Sequence, residues 1–170
     1  MKKAGFILAL CLMFLAGMGQ NEAAEKHFEK AERLAQSLKY QEALAEYNEA
    51  IFLNAEELKY YLRRAFVYSA LESYEEAVKD YTKVLEADPS SPYIFVSRGS
   101  AYNKLKKYNL AIADFNSALA IDPKNQEAYN NRGWSKEYLG DHDGACADWK
   151  KSKKLGNAEA KIIMKNTHCK

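Results

Sequence analysis

"LAIDPKN", residues 119–125, closes an apolar run that contains Ala118, Leu119 and Ile121. "LEADPSS", residues 85–91, closes a very similar run 34 residues upstream. Laying the chain out in steps of that length, with the two prolines aligned, gives four units at 24–57, 58–91, 92–125 and 126–159, without insertion or deletion. The eighth place of each unit is small (Ala31, Ala65, Gly99, Gly133), and the twentieth is always alanine (Ala43, Ala77, Ala111, Ala145). The twenty-fourth is always aromatic (Tyr47, Tyr81, Phe115, Trp149), and the fourth is aromatic in three units (Tyr61, Phe95, Tyr129). Register held from residue 24 to residue 159 is a period.

Each unit reads as two helices. In the third, Phe95, Gly99 and Tyr102 fall on one face of "YIFVSRGSAYNKL", and Ala111, Phe115 and Ala118 on one face of "NLAIADFNSALAI". "KKY", residues 106–108, makes the turn between them, and "LGDHD" takes its place in the fourth unit with a glycine stop signal. Small residues at places eight and twenty let the helices cross closely, and the aromatic at twenty-four fills the wedge. Asp88-Pro89 and Asp122-Pro123 end the second helix, because proline biases its predecessor away from helical geometry. A two-helix hairpin cannot bury its apolar face alone, so neighbours must stack. Composition agrees: only 8 glycines and 3 prolines in 170 residues leave little room for hairpin-rich β structure.

The first 19 residues stand apart from the period. "MKK" precedes the apolar stretch "AGFILALCLMFLAGMG", residues 4–19, and charged sequence follows at once. This order reads as a secretory signal peptide, too short for a spanning helix of about 20 apolar residues. Met18 stands where a lipoprotein box needs cysteine, which disfavours lipid anchoring. The alternative is an uncleaved segment that tethers the chain to a membrane. Cleavage after Gly19 would remove Lys2 and Lys3 and leave 23 basic against 23 acidic residues, a poor balance for nucleic acid or anionic lipid. The domain reading is therefore a signal peptide over 1–19 and a repeat array over 20–170, with a cap over 160–170.

The repeated residues resemble the tetratricopeptide repeat, a 34-residue helix–turn–helix whose pattern combines aromatic, small, tyrosine, alanine and proline positions. The third unit carries nearly all of it in Phe95, Gly99, Tyr102, Ala111, Phe115, Ala118 and Pro123. Units one and four depart most: His27 replaces the first aromatic, Lys136 the tyrosine, and Ala55 and Asn157 the proline. The resemblance implies an all-α, right-handed superhelical solenoid of four repeats with a C-terminal capping helix.

Place seven is always basic (Lys30, Arg64, Arg98, Arg132) and place twenty-three always acidic (Glu46, Asp80, Asp114, Asp148). Because the signs repeat together, they read as one ion pair per unit, worth about 0–1 kcal/mol each if partly exposed. Residues that could carry catalysis are sparse. "DHDG", residues 141–144, begins like a calcium loop, but Ala145 and Ser152 stand where ligands are required. His168 and Cys169 are two neighbouring ligands on a tail, a weak metal signal. There is no glycine-rich phosphate loop or recognisable nucleophile setting. The expectation is a non-enzyme without cofactor, metal or small-molecule substrate, whose partner is a protein or peptide.

The resemblance implies that first helices line a concave groove for an extended peptide or a partner helix. Carried over, the groove takes Phe28, Glu32, Lys59, Arg63, Phe66, Tyr93, Asn103, Lys104, Glu127, Asn130, Asn131, Trp134, Glu137 and Tyr138. Phe66, Trp134 and Tyr138 are expected to fall outside the internal packing and to serve as anchors. The lysine–asparagine–arginine clamp of chaperone-tail-binding members is missing from the matching places, whether Phe28, Glu32, Arg63, Tyr93 and Ser97 or the set one unit further on. In the repeat register, Cys169 occupies a tenth place and opposes Cys146 at the twenty-first place of unit four. In an oxidising compartment outside the cytoplasm the two are expected to bond and staple the cap.

Overall fold

The computed structural model describes the backbone of residues 2–167 and 169, and their side chains from residue 19 onward. Among the described residues there are nine helices and no strand. They are α1 (Lys2–Gln36), α2 (Tyr40–Leu53), α3 (Leu58–Ala70), α4 (Tyr74–Ala87), α5 (Pro92–Lys104), α6 (Tyr108–Ile121), α7 (Gln126–Tyr138), α8 (His142–Lys154) and α9 (Ala158–Asn166). They divide into two compact bodies, residues 1–71 with α1–α3 and residues 72–170 with α4–α9.

In the first body Ala31 of α1 and Ala43 of α2 are fully buried beside Tyr47, with Val67 of α3 completing the cluster. In the second, Gly99 and Gly133 show why place eight must be small. A Cβ on Gly99 would stand 2.8 Å from the Phe115 ring, and one on Gly133 2.6 Å from the Trp149 indole. Both rings are fully buried. The wedge expected at place twenty-four is therefore filled by these rings.

The turns repeat as well. Place fifteen carries positive φ in every unit, at Leu38, Glu72, Lys106 and Gly140, although only Gly140 is free of the Cβ penalty. At place thirty-one Asn54, Asp88 and Asp122 each accept a hydrogen bond from the backbone N–H two residues on, at 3.2, 2.9 and 2.9 Å. These short side chains close the loop between units, after Asn54 without the proline that follows Asp88 and Asp122.

The ion pairs are stronger framework than the sequence suggested. Lys30 of α1 meets Glu46 of α2 at 2.6 Å. Arg98 of α5 grips Asp114 of α6 with two bonds at 2.9 and 2.7 Å, and Arg132 of α7 grips Asp148 of α8 at 2.8 and 2.6 Å. Asp114 and Asp148 are buried, so these two pairs fall outside the partly exposed case. Removing one partner of such a pair strands a charge and costs about 3–5 kcal/mol. Each guanidinium also reaches back to the preceding second helix: Arg64 to Asn48 Oδ1 (2.7 Å), Arg98 to Thr82 Oγ1 (3.0 Å) and Arg132 to Asn116 Oδ1 (2.6 Å). One arginine thus ties successive hairpins together.

α9 lays Ala160 and Ile163 against Ala145 and Trp149 of α8. Asn157 caps its start by accepting from the Ala160 N–H at 3.0 Å. Of the expected cap residues, Ile163 is buried, Ile162 is 61% exposed, and Cys169 lies beyond the helix end. At the other terminus α1 runs unbroken from Lys2 to Gln36. Among the described residues no helix is long and apolar enough to cross a membrane. The side chains of 1–18, hence nearly all of the expected signal peptide, lie outside the described set, as does His168.

Candidate functional site

The expected groove residues separate by body and by what they touch. In the first body they hold one another. Lys59 pairs with Glu25 at 2.9 Å and stands over the Phe28 ring, 5.1 Å from its centroid. Tyr60 donates to the same Glu25 at 3.0 Å, and the Lys59 hydrogen bond keeps that carboxyl below its ordinary pKa. Arg63 pairs with Glu32 at 3.2 Å, and Glu32 also accepts from the buried Tyr47 hydroxyl. Burial, followed by the Glu32 bond, pushes the Tyr47 phenol well above its usual range. Phe28 packs between Tyr47 and Tyr60, with ring centroids 6.0 and 5.0 Å away. It belongs to the core and not to an open groove, which corrects its assignment. Phe66, on α3, is half-buried.

The fifth place is the general source of that error. Its residues in the second body, Val96 and Asn130, are both buried. Val96 joins Phe115, Leu119 and Ala128, a cluster drawn from consecutive units. Asn130 donates to Glu159 of the cap at 3.0 Å, and its backbone oxygen accepts from the Trp149 indole at 3.2 Å. Place five packs one repeat on the next, so Asn130 is framework. Glu137 is also occupied: it meets His142, the first residue of α8, at 2.8 Å. Tyr93 and Glu127 are exposed on the first turns of α5 and α7.

The remaining residues converge. Ser100, Asn103 and Lys104 of α5, Lys106 of the following turn, Tyr108 of α6, and Asn131, Trp134 and Tyr138 of α7 line one cleft of about 450 Å³. One wall is aromatic: Tyr138 stacks on Tyr108 at 5.0 Å with planes 15° apart, and its other neighbour is Trp134 at 6.1 Å. Tyr138 is 62% exposed. Trp134 is half-buried, its back set edge-on against Trp149 at 5.2 Å, so it serves core and cleft together. That corrects the expectation that Trp134 stands clear of the packing.

The floor is a chain of neutral polar groups. Asn131 donates to Ser100 Oγ at 3.2 Å, Asn103 donates to the Asn131 carbonyl at 3.2 Å, and Ser135 donates to Asn103 Oδ1 at 2.7 Å. These bonds fix the amide orientations. Lys104 and Lys106 stand at the rim, exposed, with no carboxylate partner among the described residues. Among the described residues no acidic side chain lines the cleft. Lys106 and Tyr108 were absent from the sequence-based set. A signal existed for the second, since place seventeen is tyrosine three times (Tyr40, Tyr74, Tyr108).

The structure brings Cys146 of α8 and Cys169 together, with Cα atoms 5.4 Å apart, inside the span a disulfide bridges. Thr167 Oγ1 lies 3.2 Å from the Cys169 sulfur. Among the described residues no group of three or more His, Cys, Asp or Glu is placed to hold a metal ion.

Fold and cleft together define an α-helical repeat protein with a surface site. The tetratricopeptide repeat model matches residues 58–91 and 92–125. MamA from Desulfovibrio magneticus RS-1 is similar in structure, with a TM-score of 0.75 and 20% identity over 78% of this chain and 75% of that one. The tetratricopeptide domain of Arabidopsis OM64 is 30% identical, with a TM-score of 0.64, over 70% of this chain and 98% of that domain. The chain belongs to the tetratricopeptide repeat family. No curated protein matches it significantly in sequence.

Proposed function

We propose that this protein is a non-catalytic interaction scaffold that holds a peptide segment of a partner protein in the α5–α7 cleft. The observation that carries the reading is the solvent-facing Tyr108–Tyr138–Trp134 wall beside a rigid polar floor. An exposed aromatic on a pre-organised surface is the usual form of a binding anchor. Panning a random peptide library against the full-length chain tests this. Selected peptides should bind Tyr138→Ala about tenfold or more weakly, the loss expected of an aromatic anchor. Selected peptides that bind the variant equally would contradict it.

The scaffold works outside the cytoplasm in this reading, delivered by cleavage after Gly19, and Cys146 and Cys169 form a disulfide that fastens α9 to α8. The alternative retains residues 1–19 as a membrane tether and draws support from the unbroken course of α1. Intact mass of the protein recovered from its native compartment separates the two. Non-reducing peptide mapping tests the disulfide, and recovery of both cysteines as alkylated thiols without prior reduction would refute it.

A further inference from the structure

We infer that the occupant of the α5–α7 cleft is an acidic peptide carrying an aromatic side chain, recognised through internal carboxylates and not through a chain terminus. This inference rests on the peptide-binding reading above and adds the chemistry of the ligand. Three features of the lining point to it.

The first is charge. Lys104 and Lys106 bring two positive charges to one rim, and no carboxylate lines the cleft or pairs with either lysine among the described residues. Three other cations on first helices are met by carboxylates: Lys59 by Glu25, Arg63 by Glu32, and Lys136 by Asp148 at 2.8 Å. An unpaired pair of lysines leaves a local positive field that attracts acidic side chains and opposes basic ones. The second is the aromatic wall. Tyr138 leaves most of its surface to solvent while its plane is fixed by Tyr108. A planar ring in the ligand gains offset stacking there at little ordering cost. The third is the floor, whose Asn131 amide is oriented by Ser100 and keeps its side-chain oxygen for a further donor, such as a ligand backbone N–H.

Two lysines beside aromatic rings could also suggest a single-stranded nucleic acid. Such binding needs a basic groove that follows several phosphates. The cleft offers two cations, and the whole chain carries only +2 net charge. An acidic peptide needs no longer track.

The test is calorimetric titration of the full chain with three capped pentapeptides. Acetyl-Asp-Asp-Phe-Asp-Asp-amide has no free terminus, a second peptide replaces Phe by Ala, and a third replaces every Asp by Lys. The first should bind, more weakly at high salt because exposed charges are screened. The second should bind about tenfold more weakly, as expected when an aromatic anchor is truncated. The third should not bind. Lys104→Gln and Lys106→Gln should each weaken the first peptide by about two- to fivefold, the range of an exposed charge contact. Both lysines are exposed and unpaired, so far-ultraviolet circular dichroism should be unchanged. Equal binding of acidic and basic peptides, or unchanged affinity in both lysine variants, overturns the inference but leaves peptide binding standing. Failure of all three peptides, with polydeoxythymidine bound instead, overturns both.

Discussion

The two bodies use the first helices of their repeats differently. In the first, Glu25, Glu32, Lys59 and Arg63 neutralise one another and enclose Phe28. In the second, Ser100, Asn103 and Asn131 form an uncharged lattice, while Lys104, Lys106 and Tyr138 face solvent. The first body also has a hollow, of about 240 Å³, but Leu38, Tyr40 and Leu71 line it with Lys39, Gln41 and Glu42, and none is a groove residue expected from the repeat. A shared scaffold therefore does not make a shared site. Charges satisfied internally hold the hairpins, and charges left unsatisfied are available to a partner.

The largest effect that sharpens this contrast is on stability in the second body. Arg98→Met strands the buried Asp114 carboxylate, which has no second cation among the described residues, and should cost about 3–5 kcal/mol in denaturant titration. Lys30→Met in the first body should cost under about 1 kcal/mol, because Lys30 is 57% exposed. Equal costs would erase the difference between the two pairings. Next, Gly133→Ala drives a methyl into the buried Trp149 ring and should cost about 1–3 kcal/mol by overpacking.

Acid should act on the first body through Glu46. The Lys30 hydrogen bond, then that of His27, holds its carboxyl below the ordinary value. A lowered folded pKa means that the stabilisation is present above the unfolded pKa, about 4.3. It is lost as the pH falls from there through the folded value. Urea midpoints between pH 7 and pH 3 should drop more gently for Lys30→Met than for the natural chain, and parallel curves would count against the pairing.

The smallest effect concerns place fifteen. Leu38→Gly should stabilise by up to about 1 kcal/mol by relieving a left-handed residue, less the entropy of the unfolded chain. Gly140→Leu should cost up to about 1 kcal/mol for the converse reason. Thermal melts of both read the sign directly.

Much of the fold was legible because each packing rule recurs at a fixed place: Gly99 against Phe115 repeats as Gly133 against Trp149. The paired signs at places seven and twenty-three were legible too, but their burial was not. Burial depends on how hairpins stack, which one unit does not reveal. The site was harder. Place five was assigned to the groove, yet Val96 and Asn130 pack between repeats. Trp134 lines the cleft and also packs on Trp149, and a side chain that serves core and cleft carries no distinct sequence mark. Glu25 and Lys59 occupy the same place in successive units, an opposition of sign that could have marked the first body's self-pairing. Lys106 sits in a turn, outside the helical periodicity on which the reading relied.

Amide hydrogen exchange on the full chain with and without acetyl-Asp-Asp-Phe-Asp-Asp-amide locates the bound peptide. Slowed exchange is expected in segments 100–108 and 131–138, with segments 25–32 and 59–66 unchanged. Protection confined to the latter two would contradict the account.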